Sequence, residues 1–214
     1  QLLNIHRGDR MKTLVSMDTK AVTGPELVKK YTGEDCTDFQ NADHTMTMIS
    51  TENGKTMLIE HDVMNPRPYS RMYQLTGTEG FASKYPVNQY CLRSVEKLDK
   101  KADYEDLNPH RALSEDMMRQ LMQDYKHPIH KEIEDVARQV GGHGGMDYVM
   151  DWRLIYCLRN GLPLDMDVYD LAEWCCVAEL SRISLQNGSV PVEVPDFTRG
   201  NWNKVQGYTH AYAE

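Results

Sequence analysis

"HTMTMISTENGKTMLIEHDVM", His44–Met64, decides how this chain folds. Two runs rich in Thr, Met and Ile flank Asn53-Gly54, a pair that tolerates the positive φ a tight hairpin turn requires. In the second run Met57, Ile59, His61 and Val63 fall on one face, with Leu58, Glu60, Asp62 and Met64 on the other. That is the alternation of a strand. Upstream, "MKTLVSM" (Met11–Met17) reads as a further strand, and "GPELVKKYTG" as a short helix with Pro25 in its first turn. Downstream, "SRMYQLTGTEGFASKY" reads as strand, glycine turn, strand, and "NQYCLRSV" as one more edge. Together these predict one mostly antiparallel, open sheet of about five or six strands between Met11 and Val95.

From Lys97 onward the pattern turns helical. "SEDMMRQLMQDY" has Ser114 as its cap, and "HPIHKEIEDVARQV" has Pro128 in its first turn. "MDYVMDWRLIYCLRNG" ends on Gly161, while "DMDVYDLAEWCCVAELSRISLQNG" is capped by Asp165 and stopped at Gly188. The expected organisation is 1–96 mainly sheet, 97–140 a helical insertion, 141–188 a glycine loop with helices, and 189–214 an extended tail. The fold class is α+β, with the helices packed on one face of the open sheet. Trp152, Trp174, Cys157, Cys175 and Cys176 lie in apolar helical stretches and are expected in the core, and Met46, Met48, Met117, Met118 and Met122 in packing roles.

Composition narrows the partners. The 214 residues are 40% apolar, enough for a real core, and 24 basic side chains against 32 acidic ones leave a net charge of −8. No basic stripe runs along the chain, which argues against nucleic acid and anionic membrane. No apolar run is long enough to span a bilayer. The five cysteines show no CxxC spacing, so neither a disulfide framework nor a zinc knuckle is legible. His127 and His130 in "HPIH" supply too few ligands for zinc, and no metal is expected. The chain opens on "QLLNIHRGDR" without Met, and Leu2, Leu3 and Ile5 read as the last turn of a helix begun upstream, as in a fragment or trimmed product.

The chemistry-bearing stretch is "VGGHGGMDY", where four glycines surround His143. An imidazole titrates near about pH 6.5 and exchanges protons in both directions at neutral pH. Flanking glycines let backbone approach a ligand closely, or let the loop move, and the segment is expected among the most mobile. The alternative is a flexible connection with an exposed histidine. Tyr69, in the proline-stiffened corner "NPRPYS", is placed to stand over a ligand; the alternative is a corner tyrosine with a wet hydroxyl. Arg67 offers hydrogen bonds to a ligand or a structural salt bridge. Asp147 either orients His143 or a ligand hydroxyl, or simply complements the dipole at a helix start.

The segments "GGHGGMDYVMDWRLIYCLRNGLPLDMDVYDLAEWCCVAELS", "RPYSRMYQLTGTEG" and "LLNIHRGDRMKTLVSM" resemble the C-terminal part of glycoside hydrolase family 109. These are NAD-dependent enzymes, typically α-N-acetylgalactosaminidases, in the superfamily of glucose-fructose oxidoreductase and inositol dehydrogenase. The resemblance covers nearly the whole chain; "GGHGGMD" and "RPY" are specific within it. It implies a missing N-terminal Rossmann domain, because no GxGxxG follows a strand here, and no NAD-binding residue in this chain. It implies a cycle of oxidation at sugar C3, elimination across C1–C2, water addition and re-reduction, an exception to the usual two-carboxylate scheme. It assigns His143 the acid/base role at the anomeric centre and Tyr69 a contact to the sugar. Two alternatives stand beside it: a carbohydrate-binding or oligomerisation module without chemistry, and a plain NAD(P)-dependent sugar dehydrogenase. The superfamily's habit of packing sheets face to face implies a homo-oligomer through the sheet. The resemblance also implies a periplasmic or exported bacterial protein, with the cytoplasm as the alternative.

Overall fold

The computed structural model describes residues 1–96, 98, 104 and 107–207. The expected start of the helical insertion at Lys97 and the end of the tail, 208–214, lie outside the described residues. The chain divides into two compact units, Gln1–Pro66 with Arg153–Glu214, and Arg67–Trp152.

The first unit is built on a four-stranded sheet in the order β3-β2-β1-β7. Its strands are β1 (Met11–Asp18), β2 (Thr45–Thr51), β3 (Thr56–His61) and, from the tail, β7 (Val192–Glu193). Every pairing among them is antiparallel. The hairpin forms where Asn53-Gly54 predicts it, with Gly54 at φ 78°. The turn is wider than two residues, since Thr51 N–H donates to the Lys55 carbonyl. Asp9 pins this turn from below. It is fully buried and accepts from the Thr51 hydroxyl at 2.8 Å and the Asn53 N–H at 3.1 Å, with Lys55 Nζ at 3.1 Å. Burial alone would raise the Asp9 carboxyl, but hydrogen bonds from Thr51, Asn53, Lys55 and Arg10 together hold it below the usual carboxylate range.

Helix α1 (Thr23–Thr32) follows β1 and ends on Gly33 in the left-handed conformation, φ 81°. The helix that covers the sheet is α5 (Val168–Gln186), and its Leu180 joins Met11, Leu14, Ile49 and Val194 in the core. Polar groups share that interface: Ser184 Oγ accepts from Ser16 N–H at 3.0 Å and donates to the Val190 carbonyl at 2.7 Å. A hydroxyl chain continues from Ser16 to Thr47 (2.8 Å) and from Thr47 to Ser181 (3.1 Å). At the start of α5, buried Arg7 forms a two-pronged pair with Asp170, both contacts at 3.0 Å, and His6 Nε2 meets Glu173 at 3.1 Å.

The second unit holds a three-stranded antiparallel sheet, β4 (Tyr73–Thr76), β5 (Gly80–Lys84) and β6 (Gln89–Leu92). With it go α2 (Glu115–Asp124), whose Ser114 cap accepts from Met117 N–H, and α3 (Pro128–Val140). The boundary between units falls within α4 (Met146–Asn160).

Four expectations are corrected. The strands from Met11 to Val95 form two sheets rather than one. Asp165 does not cap α5; Asp167 does, in a reciprocal capping box with Asp170, while Asp165 pairs with Arg153 at 3.1 Å. Leu2, Leu3 and Ile5 do not end a helix; Asn4 N–H closes a turn onto Gln1, and Ile5 bridges Asp9. Trp174 is 52% exposed, Cys175 is also exposed, and Met46, Met48 and Met122 are exposed too. Only Cys157 among the cysteines is fully buried. For Trp174 and Cys175 the reason is that α5 turns Asp170 and Glu173 inward. Asp170 and Glu173 are buried because they have partners in Arg7 and His6, and Leu171 and Trp174 then face out.

Candidate functional site

Helix α3 stops at Gly141 because its carbonyl-capping turn needs φ 87°. The next four residues stay at positive φ: Gly142 at 75°, His143 at 47°, Gly144 at 72° and Gly145 at 96°. A chain of L-residues would not hold such a run, and four glycines in five positions supply it. Close approach adds a second demand. A Cβ on Gly145 would lie 2.7 Å from the Ala137 backbone carbon, and one on Gly142 would lie 2.8 Å from Asp147 Oδ2. The loop is a short 3₁₀ turn (His143–Gly145) bonded to its surroundings, with Gly145 N–H donating to Gly142 at 2.8 Å. Shape and contact therefore account for these glycines.

The turn presents His143 to Asp147 on the first turn of α4. His143 Nδ1 lies 2.9 Å and 3.1 Å from the two carboxylate oxygens. A carboxylate at Nδ1 selects the tautomer that carries its proton there, and leaves Nε2 to take or give a proton. The imidazole is 69% exposed, open to a ligand. Asp147 is thus hydrogen-bonded to His143.

Tyr69 lies in the same unit, four residues before β4, and is 72% exposed. Its ring meets Tyr85 edge-on, with centroids 6.4 Å apart, and Arg71 lies over it at 5.6 Å. No hydrogen bond or ring contact joins Tyr69 to His143 or Asp147, and Arg67 stands in the exposed corner beside Tyr69. Tyr85, whose ring packs against Tyr69, is not singled out by the sequence. It sits directly after β5, and the pairing of Tyr73 with Lys84 brings the two strand ends together. Only that register reveals the pair. A weaker signal is the backbone: Tyr85 has φ 72°, uncommon for a bulky residue. His127 is accounted for otherwise, since its Nδ1 accepts from Ile129 N–H as the cap of α3. Among the described residues no cluster of His, Cys, Asp and Glu is arranged to hold a metal.

The sequence profile described as "Glycosyl hydrolase 109, C-terminal domain" matches residues 1–204. The chain belongs to glycosyl hydrolase family 109. It is 69% identical to glycosyl hydrolase family 109 protein 1 of Phocaeicola vulgatus and 68% identical to that of Bacteroides thetaiotaomicron. It is 67% identical to the family 109 protein of Porphyromonas gingivalis. All of this chain is covered in each comparison, but only 46% of each relative. It thus spans about half the length of the relatives it matches. The likeness runs through the turn carrying His143 and the corner carrying Tyr69, since both lie inside the matched residues.

Proposed function

We propose that this chain is the substrate-binding part of an NAD-dependent glycosidase acting on α-N-acetylgalactosaminides. The observation that carries this reading is the His143–Asp147 pair, an oriented and exposed imidazole in a chain of a glycosyl hydrolase family. His143 Nε2 gives a proton to the departing glycosidic oxygen and later takes one from water, while Asp147 holds the ring and balances the imidazolium. Tyr69 and Arg67 contact the sugar, and Asp147 orients His143 or binds a sugar hydroxyl. Tyr69→Phe, which keeps the ring and removes the hydroxyl, is expected to raise KM about tenfold in the full-length enzyme with a smaller effect on kcat. An unchanged KM removes Tyr69 from the sugar site.

NAD does not fit the described residues. Pyrophosphate binding takes a strand, a glycine turn and a helix N-terminus within a parallel βαβ unit. The named strands pair only antiparallel, and the glycine turn at 141–145 joins helix to helix. The cofactor is assigned to a Rossmann domain in the remaining length that the relatives carry. Calorimetric titration of the 214-residue chain with NAD⁺ is expected to give no binding heat. Micromolar binding would contradict that assignment.

A homo-oligomer through the sheet is supported by the face of the first sheet opposite α5. Met17, Met46, Met48 and Leu58 are exposed there, and the register sets Met17 beside Met46, and Met48 beside Leu58. Isolated exposed apolar residues are ordinary, but a contiguous patch across three strands marks an interaction surface. Met48→Asp is expected to shift the full-length protein from oligomer to monomer in sedimentation analysis; an unchanged sedimentation coefficient rules this face out. The periplasmic or exported setting rests on the resemblance, and cell fractionation checks it. Among the described residues no helix is long and apolar enough to cross a membrane.

A further inference from the structure

Four side chains at the open end of the β4–β5 hairpin form a continuous row, with Tyr69, Arg71 and Lys84 exposed and Tyr85 half-buried. Arg71 stacks on Tyr69 at 5.6 Å, Tyr69 meets Tyr85 edge-on at 6.4 Å, and Lys84 lies over Tyr85 at 5.7 Å. The row alternates cation, ring, ring, cation. Between Arg67 and Tyr85 the chain has three basic residues and one acidic one, in a protein whose net charge is −8. Among the described residues neither Arg71 nor Lys84 forms an ion pair with a carboxylate. Packing does not explain the arrangement either. Tyr69, Arg71 and Lys84 are all exposed, and the half-buried Tyr85 has φ 72°. Non-glycine residues held in that region cost free energy and cluster where a ligand is clamped.

Each part of the row has a ligand chemistry. A tyrosine face takes the apolar C–H face of a sugar ring, and two rings at right angles provide a floor and a wall. A guanidinium matches the two oxygens of a sulfate or carboxylate, and a nearby ammonium adds a point charge. Neutral glycans have no use for two unpaired cations. We propose that Tyr85, Arg71 and Lys84 form a second subsite beside Tyr69 that binds a sugar residue bearing an anionic group. The proposal rests on the reading that Tyr69 contacts the sugar, and extends it to the neighbouring residue of the glycan. The anionic group is a sulfate ester or a carboxylate.

Affinity tests this apart from turnover. The full-length enzyme is titrated calorimetrically with three oligosaccharides that share a terminal N-acetylgalactosamine. Their second sugar is neutral, O-sulfated, or a uronic acid. At low ionic strength one or both anionic ligands are expected to bind about tenfold more tightly than the neutral one, and the preferred one identifies the group. The preference shrinks in high salt, because exposed pairs are screened. In the double variant Arg71→Gln, Lys84→Gln the ratio falls close to one, while Lys84→Arg retains it. Equal affinity for all three ligands overturns the subsite, and so does a ratio that survives the double variant or is insensitive to salt. The glycosidase reading fails separately, if the bound oligosaccharides are not hydrolysed.

Discussion

On the proposed acid/base role, His143→Ala in the full-length enzyme is expected to lower turnover by a factor on the order of 10² to 10⁴, the usual worth of a positioned general acid or base. The geometry behind this expectation is the pair of contacts from Asp147 to Nδ1 at 2.9 and 3.1 Å, which leaves Nε2 as the proton-exchanging atom. The loss depends on the leaving group. An aryl alcohol of low pKa departs without a proton, so the variant retains most activity on aryl glycosides and little on alkyl ones. Asp147→Asn separates positioning from proton transfer. It keeps the size of the side chain and a hydrogen-bond acceptor for Nδ1 but removes the carboxylate, and is expected to cost less than His143→Ala. Equal and weak slowing of aryl and alkyl substrates by His143→Ala would show that the imidazole carries no proton.

Asp170→Ala is expected to destabilise the chain by about 3–5 kcal/mol, the cost of removing one partner from a buried ion pair. Two losses combine. Arg7, whose side chain is 10% exposed, keeps its charge but loses both 3.0 Å contacts. The capping box also loses the carboxylate that accepts from Asp167 N–H at 3.0 Å. Asp170→Asn retains a hydrogen-bond acceptor for that cap and should cost less. Urea unfolding measures both variants, and a loss under about 1 kcal/mol would mean that water replaces the carboxylate at Arg7.

Features that depend on neighbours along the chain were readable from residue order. The hairpin at Asn53-Gly54, the Ser114 cap, the stop at Gly33 and the bounds of α2, α3 and α4 follow from local backbone preference. The glycines of 141–145 were legible as backbone freedom, but not as the run of positive φ they adopt. The His143–Asp147 pair was legible because residues four apart meet where a turn feeds a helix.

What distant residues share was settled by tertiary packing. A strand reads the same in one sheet or two, since hydrogen bonds between strands leave no trace in hydropathy; pairing separated β1–β3 from β4–β6 and recruited β7 from the tail. Helix α5 is apolar nearly all round, so its pattern could not say which face is inside. The partners are His6 and Arg7, over 160 positions away, which give buried Glu173 and Asp170 the contacts that a buried charge requires, while Trp174 lies on the exposed side. Tyr69 and Tyr85 likewise meet only because β4 and β5 pair in one register. Backbone preference acts over a few residues and is written locally, whereas desolvation of a charge is settled only when its partner arrives.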